Sequence, residues 1–556
     1  MDQMRLIIAI VLSVIIFAVW QMFFVDKEAM QKPAPETQAP AAKTETVKKT
    51  QPYSPKTEKQ ATSEIADAGI SAAQPKEASR IITVDAPLYR VRLSEKGAGF
   101  TSFVLKKYRE QVDENAPLKQ LIVQGDAVES VLLGFAGNSL PGLDSAIFST
   151  QLKTDTLNVT DGAQKIIFSW QSPRGVVVEK TYTFKPDSYV IDLDVNVKNG
   201  SDQPLKDRLY VALVDGLPGE GSRYGFVGPS ALINDKLKQI KIKKIEEQNT
   251  YTGKLQWIAL QGRYFMSGLI ADKPSEASMQ LFLKSEKFIE SRYVMPETTF
   301  APATRTQYSY RLYFGPMSMK ILGTVGDNLK KIINFGMFDI LAKPLVWLMN
   351  FLYRFIPNYG VAIIILTILT KILLWPLGSK SYKSMAEMKK IQPLMKEIRE
   401  KYKNDKKKMN EEVMGLYRTY KINPLGGCLP MVVQIPVFFA LYRMLYQSIE
   451  LRHAPFLLWI NDLSAPDRLF HFNFSIPFMQ PPIGIPVLTI IMGVTMLLQQ
   501  KMSPPMGDPA QAKMMMLMPV IFTVIFVNFP AGLVLYWLVN NILSISQQYY
   551  IQKKFA

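Results

Sequence analysis

The sequence predicts a membrane α-helical bundle of six transmembrane helices joined to an all-β sandwich outside the membrane. Three observations lead there. Hydrophobic residues make up 48% of the 556 positions while 20% are charged, a mixture that suits membrane segments joined to water-exposed parts. Apolar runs of spanning length lie at residues 6–25 and again beyond 358. Between about 81 and 315 the hydrophobic period falls to two, the signature of half-buried strands.

Residues 6–25 (LIIAIVLSVIIFAVWQMFFV) carry no charge, and as a helix they reach about 30 Å, the thickness of a bilayer core. Bulky Trp20, Phe23 and Phe24 run straight into Asp26 and Lys27 with no small-x-small cleavage site, so an uncleaved signal anchor over 1–25 is expected. Residues 26–80 hold six prolines and one aromatic, Tyr53. Such a stretch buries too little apolar surface to offset its ordering entropy, and reads as a disordered linker.

In YVIDLDVNV, Tyr189, Ile191, Leu193, Val195 and Val197 alternate with Asp192, Asp194 and Asn196. Tyr308, Tyr310, Leu312 and Phe314 alternate similarly, as do Tyr89, Val91 and Leu93, with Gly, Pro, Asn and Asp clusters between the runs. Residues 81–315 are therefore expected to form the sandwich. Lysines and aromatics mixed over 323–357 suggest one amphipathic helix at the membrane surface.

Further apolar runs at 359–377, 427–449, 483–499, 514–529 and 531–550 complete six spans. The last two, parted only by Pro530, Ala531 and Gly532, suggest a tight helical hairpin. Residues 380–421 hold 13 Lys or Arg against 6 Asp or Glu, which places that loop in the cytoplasm by the positive-inside rule. Counting spans then puts both termini inside, with a short tail at 551–556, and residues 26–322 outside.

The residue inventory excludes much. Cys428 is the only cysteine, so an intrachain disulfide or a multi-cysteine metal site is ruled out. His453 and His471 are the only histidines, and no HExxH, P-loop or complete GxGxxG occurs. No enzyme, no metal and no cofactor is expected. The net charge of +18 needs a partner, and nucleic acid, ribosomal RNA and anionic lipid all stay open on charge alone.

Three features could carry function. Lys371 stands inside the apolar run VAIIILTILTKILLWPL, where an ammonium costs about 3 kcal/mol at the bilayer centre. Snorkelling to the membrane edge and lining of a polar cavity both fit, with Thr367 four residues earlier on the same face. The basic loop carries two apolar stripes, Met385, Met388, Leu394, Met395, Ile398 and Tyr402, then Val413, Leu416, Tyr417 and Tyr420. With Asn404-Asp405 as the turn and Pro393 as a kink, an antiparallel helical hairpin is expected over 380–421. Its Lys406, Lys407 and Lys408 form either a solvated face or a docking surface. Finally, 20 of the 27 methionines fall within 317–556. Flexible thioethers suit a surface that accepts many apolar partners, and serve equally as plain membrane packing.

Taken in order, INPLGGCLPMVVQIPVFFALYRML (422–445), APFLLWINDLSAPD, IMGVTMLLQQKMSP and MPVIFTVIFVNFPAGLVLYWLVNN resemble the YidC membrane protein insertase family over essentially all of 323–550. The anchor and β-domain resemble its Gram-negative form. The resemblance implies a five-helix insertase core over 358–550 enclosing a hydrophilic groove, and a periplasmic β-supersandwich similar to mutarotase-like domains. It implies groove residues Lys371, Thr367 and Gln434. The apolar slide for the entering helix would include Thr367, Ile435, Pro436, Phe438, Phe522, Phe526, Tyr536 and Trp537. The family usually has arginine where this chain has Lys371, which keeps the charge and loses the planar fork.

The function implied is insertion and folding of inner-membrane proteins, alone or beside the Sec translocon. Expected partners are nascent membrane proteins, the Sec translocon, the ribosome and signal recognition machinery, and anionic lipids, with no DNA. Two other readings stand beside it. A small-solute transporter would need paired repeats and broken helices. A membrane-anchored periplasmic carbohydrate-active or carbohydrate-binding protein would draw on the 81–315 region, which contains no histidine for catalysis.

Overall fold

The structure is a computed structural model, and it describes residues 79–122, 129–217, 225–284, 287–420, 422, 429–503 and 509–555. The expected anchor at 1–25, nearly all of the linker at 26–80, and Cys428 lie outside the described residues.

Alternation sets the sheets. The strand Val190–Asn199 buries Ile191, Leu193, Val195 and Val197 on one side. Its polar side is roofed by cross-strand bonds: Ser309 Oγ donates to Asp194 at 2.6 Å and Arg305 Nε to Asn196 at 3.2 Å. Tyr89, Val91 and Leu93 are likewise buried while Arg90 and Arg92 point out. One sheet has five strands in the order 118–122, 100–109, 89–94, 81–85, 156–158. A twelve-stranded sheet packs against it, joined by stacked rings such as Phe103 on Phe314 with centroids 4.8 Å apart. The long strand Phe265–Lys284 pairs through Phe265–Ala271 with the strand 305–316 and through Ser278–Lys284 with the strand 288–294. A single strand thus serves two sections of the sheet.

Between the sheets lies Lys180, fully buried, whose ammonium donates to Gly97 O, Ala98 O and Val131 O at 3.0, 2.9 and 2.7 Å. Ala98 and Val131 both hold positive φ, at 44° and 62°, a conformation that costs a β-branched residue most. The ammonium ties these two strained segments together.

The β-core does not stop at 315. Met317, Leu322, Leu329 and Ile332 belong to it, and so does Ile449 from the far side of the helical region. The single amphipathic helix expected over 323–357 is replaced by α1 (Met319–Val325), two short 3₁₀ turns at 329–332 and 336–338, and α2 (Asp339–Phe355). Gly326, Asn328 and Gly336 adopt positive φ and break the run.

Among the described residues eight more α-helices follow: α3 (Tyr359–Leu373), α4 (Trp375–Lys390), α5 (Gln392–Lys401), α6 (Lys406–Thr419), α7 (Leu429–Gln447), α8 (Val487–Met502), α9 (Pro509–Phe526) and α10 (Ala531–Phe555). The expected run 359–377 breaks at Leu374, where α3 and α4 meet at 66°. Among the described residues no single helix is both long and apolar enough to cross a membrane, whereas the bent pair α3–α4 is. The six-span count is therefore not established by helix length. The last two helices touch through Phe522, Phe526 and Trp537, while α10 packs mainly along α8, α3 and α4 and α9 along α8. The expected tail at 551–556 continues α10 through Phe555.

Ala342, Ile363, Leu366, Leu441, Met444, Met492 and Val534 form the centre of the bundle. Its outer faces are apolar too, with Ile372, Leu373, Val494, Leu517 and Val520 exposed. Apolar patches of this extent need a non-aqueous surrounding.

Candidate functional site

One end of the bundle is closed by residues 449–486. Asp462 Oδ1 accepts from His453 N and Ser464 N at 3.0 and 2.7 Å. Asp467 ties Trp459 Nε1 at 2.6 Å to Leu488 N at the start of α8. Arg468 donates to Val527 O at 2.8 Å and Pro482 O at 2.9 Å. Asn358 caps α3 by accepting from Val361 N and reaches Phe456 O at 3.1 Å. A Cβ on Gly360 would fall 2.0 Å from the Phe456 ring, so only glycine lets this segment lie on the end of α3. The predicted motif NDLSAPD is thus the latch of a polar cap.

Away from that cap the interior turns polar. Lys371 Nζ donates to Ser544 Oγ at 2.6 Å and lies 3.4 Å from Asn540 Oδ1, which also accepts from Gln434 Nε2 at 2.8 Å. Lys371 and Gln434, on α3 and α7, therefore meet over α10. No carboxylate pairs with Lys371 among the described residues. Snorkelling alone does not describe it, since its ammonium is held inside the bundle by neutral oxygens. Thr367 does not join them: it is buried and its hydroxyl donates to Ile363 O at 2.6 Å.

Sequence reasoning missed α10 as the polar wall. Asn540, Ser544 and Gln547 recur at helical spacing on one stripe, and Asn541, Gln548 and Gln552 on a second. Gln547 Nε2 reaches Trp375 O at 3.2 Å at the α3–α4 bend, while Gln552 Nε2 reaches Met502 O at 3.0 Å on α8. The signal was available as polar residues recurring every three to four positions inside an apolar run. Treating 531–550 as a uniform span averaged it away.

The slide residues gather around Trp537, whose ring centroid lies 4.6 Å from that of Phe438, 5.1 Å from Phe526 and 6.2 Å from Phe522. Phe526 and Tyr536 are buried in the bundle, so neither forms an open surface. Ile435 and Pro436 are exposed and lie on its outside.

The basic loop does form a helical hairpin. Its first arm is the end of α4 plus α5, separated at Ile391, and its second is α6, capped by Asp405 accepting from Lys408 N at 3.0 Å. The two apolar stripes meet each other: Met388, Ile391, Met395 and Ile422 are buried against Val413, Leu416 and Tyr417. Met385 is buried as well, and Leu394 and Ile398 are half-covered, so the first stripe is largely spent on packing. Lys406 opens α6, and Lys407 and Lys408 are exposed beside it.

Fold and site together define a helical bundle with a cationic polar interior, capped at one end and joined to a β-rich domain. The family described as 60Kd inner membrane protein matches residues 351–556, and the YidC periplasmic domain matches residues 81–348. The membrane protein insertase YidC of Syntrophus aciditrophicus is 40% identical over 564 residues, covering 100% of both chains. That of Geobacter metallireducens is 40% identical over 558 residues, covering 100% of this chain and 99% of its own. The YidC insertase of Syntrophobacter fumaroxidans is 40% identical over 567 residues, covering 99% of this chain and 100% of its own. The chain belongs to the YidC family of membrane protein insertases.

Proposed function

We propose that this chain inserts and helps fold proteins of the bacterial inner membrane, with Lys371 as the charge that receives their hydrophilic segments. One observation carries the mechanism: the Lys371 ammonium is held by Ser544 and Asn540 and by no acid among the described residues. Carrying a carboxylate through hydrocarbon is costly. A cation solvated by neutral oxygens lowers that cost, because an incoming carboxylate can replace Asn540 or Ser544 as its partner without first displacing an acid. The cap over residues 449–486 keeps this path closed on one side. The client's apolar helix then leaves along the Phe438, Phe522 and Trp537 wall into lipid, driven by apolar transfer.

In this reading six helices span the membrane, counting the anchor at 6–25, and both termini lie in the cytoplasm with residues 26–322 in the periplasm. The 380–421 hairpin faces the ribosome and signal recognition machinery or anionic headgroups, and the bundle works alone or beside the Sec translocon. The test is a client series of graded acidity in the translocated segment. Lys371→Arg should keep insertion and Lys371→Ala should impair the most acidic clients most. Equal insertion by wild type and Lys371→Ala across the series would sink the charge mechanism.

A further inference from the structure

Where the β-rich domain meets the end of α7, a second polar site is built that insertion does not use. Lys119, Gln120, Asp215, the turn at 262–266 and Arg452 enclose a cavity of about 290 Å³. Arg263 lies over two rings, 4.6 Å from the Tyr264 centroid and 3.6 Å from that of Tyr446, and its Nε donates to Tyr446 O at 3.0 Å. Among the described residues its Nη2 is buried without a hydrogen-bond partner, and so is Gln120 Nε2. Arg452 donates to Arg109 O and Glu110 O, while Lys119 pairs with Glu110 at 3.1 Å.

Asp215 is the one carboxylate lining the cavity among the described residues, and it accepts from Gly216 N at 2.7 Å. Burial pushes its carboxyl up to about 7, which weakens its claim as the counter-ion of three cations. Leu260, Phe265 and Met266 supply an apolar wall beside the charges. Arg452 comes five residues after the end of α7, so the cavity opens where the apolar bundle gives way to the β-rich domain.

Unpaired buried donors are rare in native proteins, and each calls for an acceptor. Two of them on residues that line one cavity, with two guanidiniums and an ammonium, match the several acceptor oxygens of a tetrahedral oxyanion. We propose that this cavity binds a phosphoryl group, either the headgroup of an anionic phospholipid at the membrane surface or free phosphate. A turn of the Gln120 or Arg263 side chain brings its idle N–H to the bound oxygens, and the apolar wall accommodates the glycerol end of a lipid.

The experiment titrates the full chain in detergent micelles with dihexanoyl-phosphatidylglycerol, dihexanoyl-phosphatidylcholine and inorganic phosphate, read by calorimetry. Wild type should bind phosphatidylglycerol saturably, at one equivalent, and more tightly than zwitterionic phosphatidylcholine. Gln120→Glu, nearly isosteric, should weaken binding about ten-fold, the loss of one charge-assisted bond. Arg263→Gln should do the same, and Asp215→Asn should tighten it. Phosphatidylglycerol binding tighter than inorganic phosphate identifies the lipid as the ligand; the reverse order identifies free phosphate. Absence of saturable binding by any phosphoryl probe, or equal binding by wild type and Gln120→Glu, overturns the proposal and leaves the role of Lys371 untouched.

Discussion

Lys180 in the β-rich domain and Lys371 in the helical bundle are both drawn out of bulk water without an acid beside them, yet their oxygens differ in kind. Lys180 is caged by three backbone carbonyls that the strands hold in place. Lys371 is held by a serine hydroxyl and, more loosely, an asparagine amide. Backbone oxygens cannot turn away without unfolding the sheet, whereas side-chain oxygens can rotate. The first cage is permanent and structural. The second is a solvation shell that can be exchanged for a substrate's carboxylate, and ligand rigidity decides which lysine can work.

The sharpest way to break this comparison is to delete each charge in turn. Lys180→Met should cost the β-rich domain about 3 kcal/mol, because three buried carbonyls lose their donor. Lys371→Met should change stability by less than about 1 kcal/mol, since Asn540 and Ser544 can find other partners. Pulse proteolysis of the full chain in micelles reads both, and equal losses would abolish the distinction.

A pH series sharpens it. Burial pulls Lys180 down to about 7 from the ordinary 10.5. Between those values the unfolded chain binds a proton that the folded one has released, so stability should rise with pH across that window, by about 1 kcal/mol per unit. The unfolding midpoint measured at pH 7 and pH 9 should show this rise in wild type and lose it in Lys180→Met.

Smaller effects are expected at the exchangeable cage. Ser544→Ala should lower insertion of acidic clients by about three-fold, the worth of one modest hydrogen bond, and less than Lys371→Ala does. An insertion assay on the same client series compares the two. Smallest of all, the exposed pair Lys407→Gln with Lys408→Gln should stabilise the hairpin by about 0.3 kcal/mol, because cations oppose the dipole at the start of α6. Urea unfolding followed by a fluorophore on α6 would detect a change of the opposite sign.

The β-rich domain was legible because alternation is a local signal. Tyr89, Val91 and Leu93 needed nothing beyond their own spacing to be placed inside. The domain's edge was not legible, because Leu329, Ile332 and Ile449 join its core through tertiary contacts that no periodicity announces. Residues 323–357 kept enough apolar character to look like one helix, while Gly326, Asn328 and Gly336 turned the chain. At the site, a charge in an apolar run drew attention to Lys371. Its partners did not, because Asn540 and Ser544 are neutral and hydropathy averages them into a span. Placing Gln434 and the Trp537 cluster rested on likeness to a family and not on the residues' own pattern. The hairpin stripes were legible as two apolar runs, and Met388 and Met395 of the first meet Leu416 and Tyr417 of the second.

Ile449, seated in the core of the sheet domain two residues beyond the end of α7, makes a lever of that helix. The chain leaving the helix is seated in the β-core at once, with no slack linker between them. Gln434 lies about 20 Å along the same rod, gripping Asn540 beside Lys371. One helix thus has an end seated in the β-core and a side chain beside the buried charge.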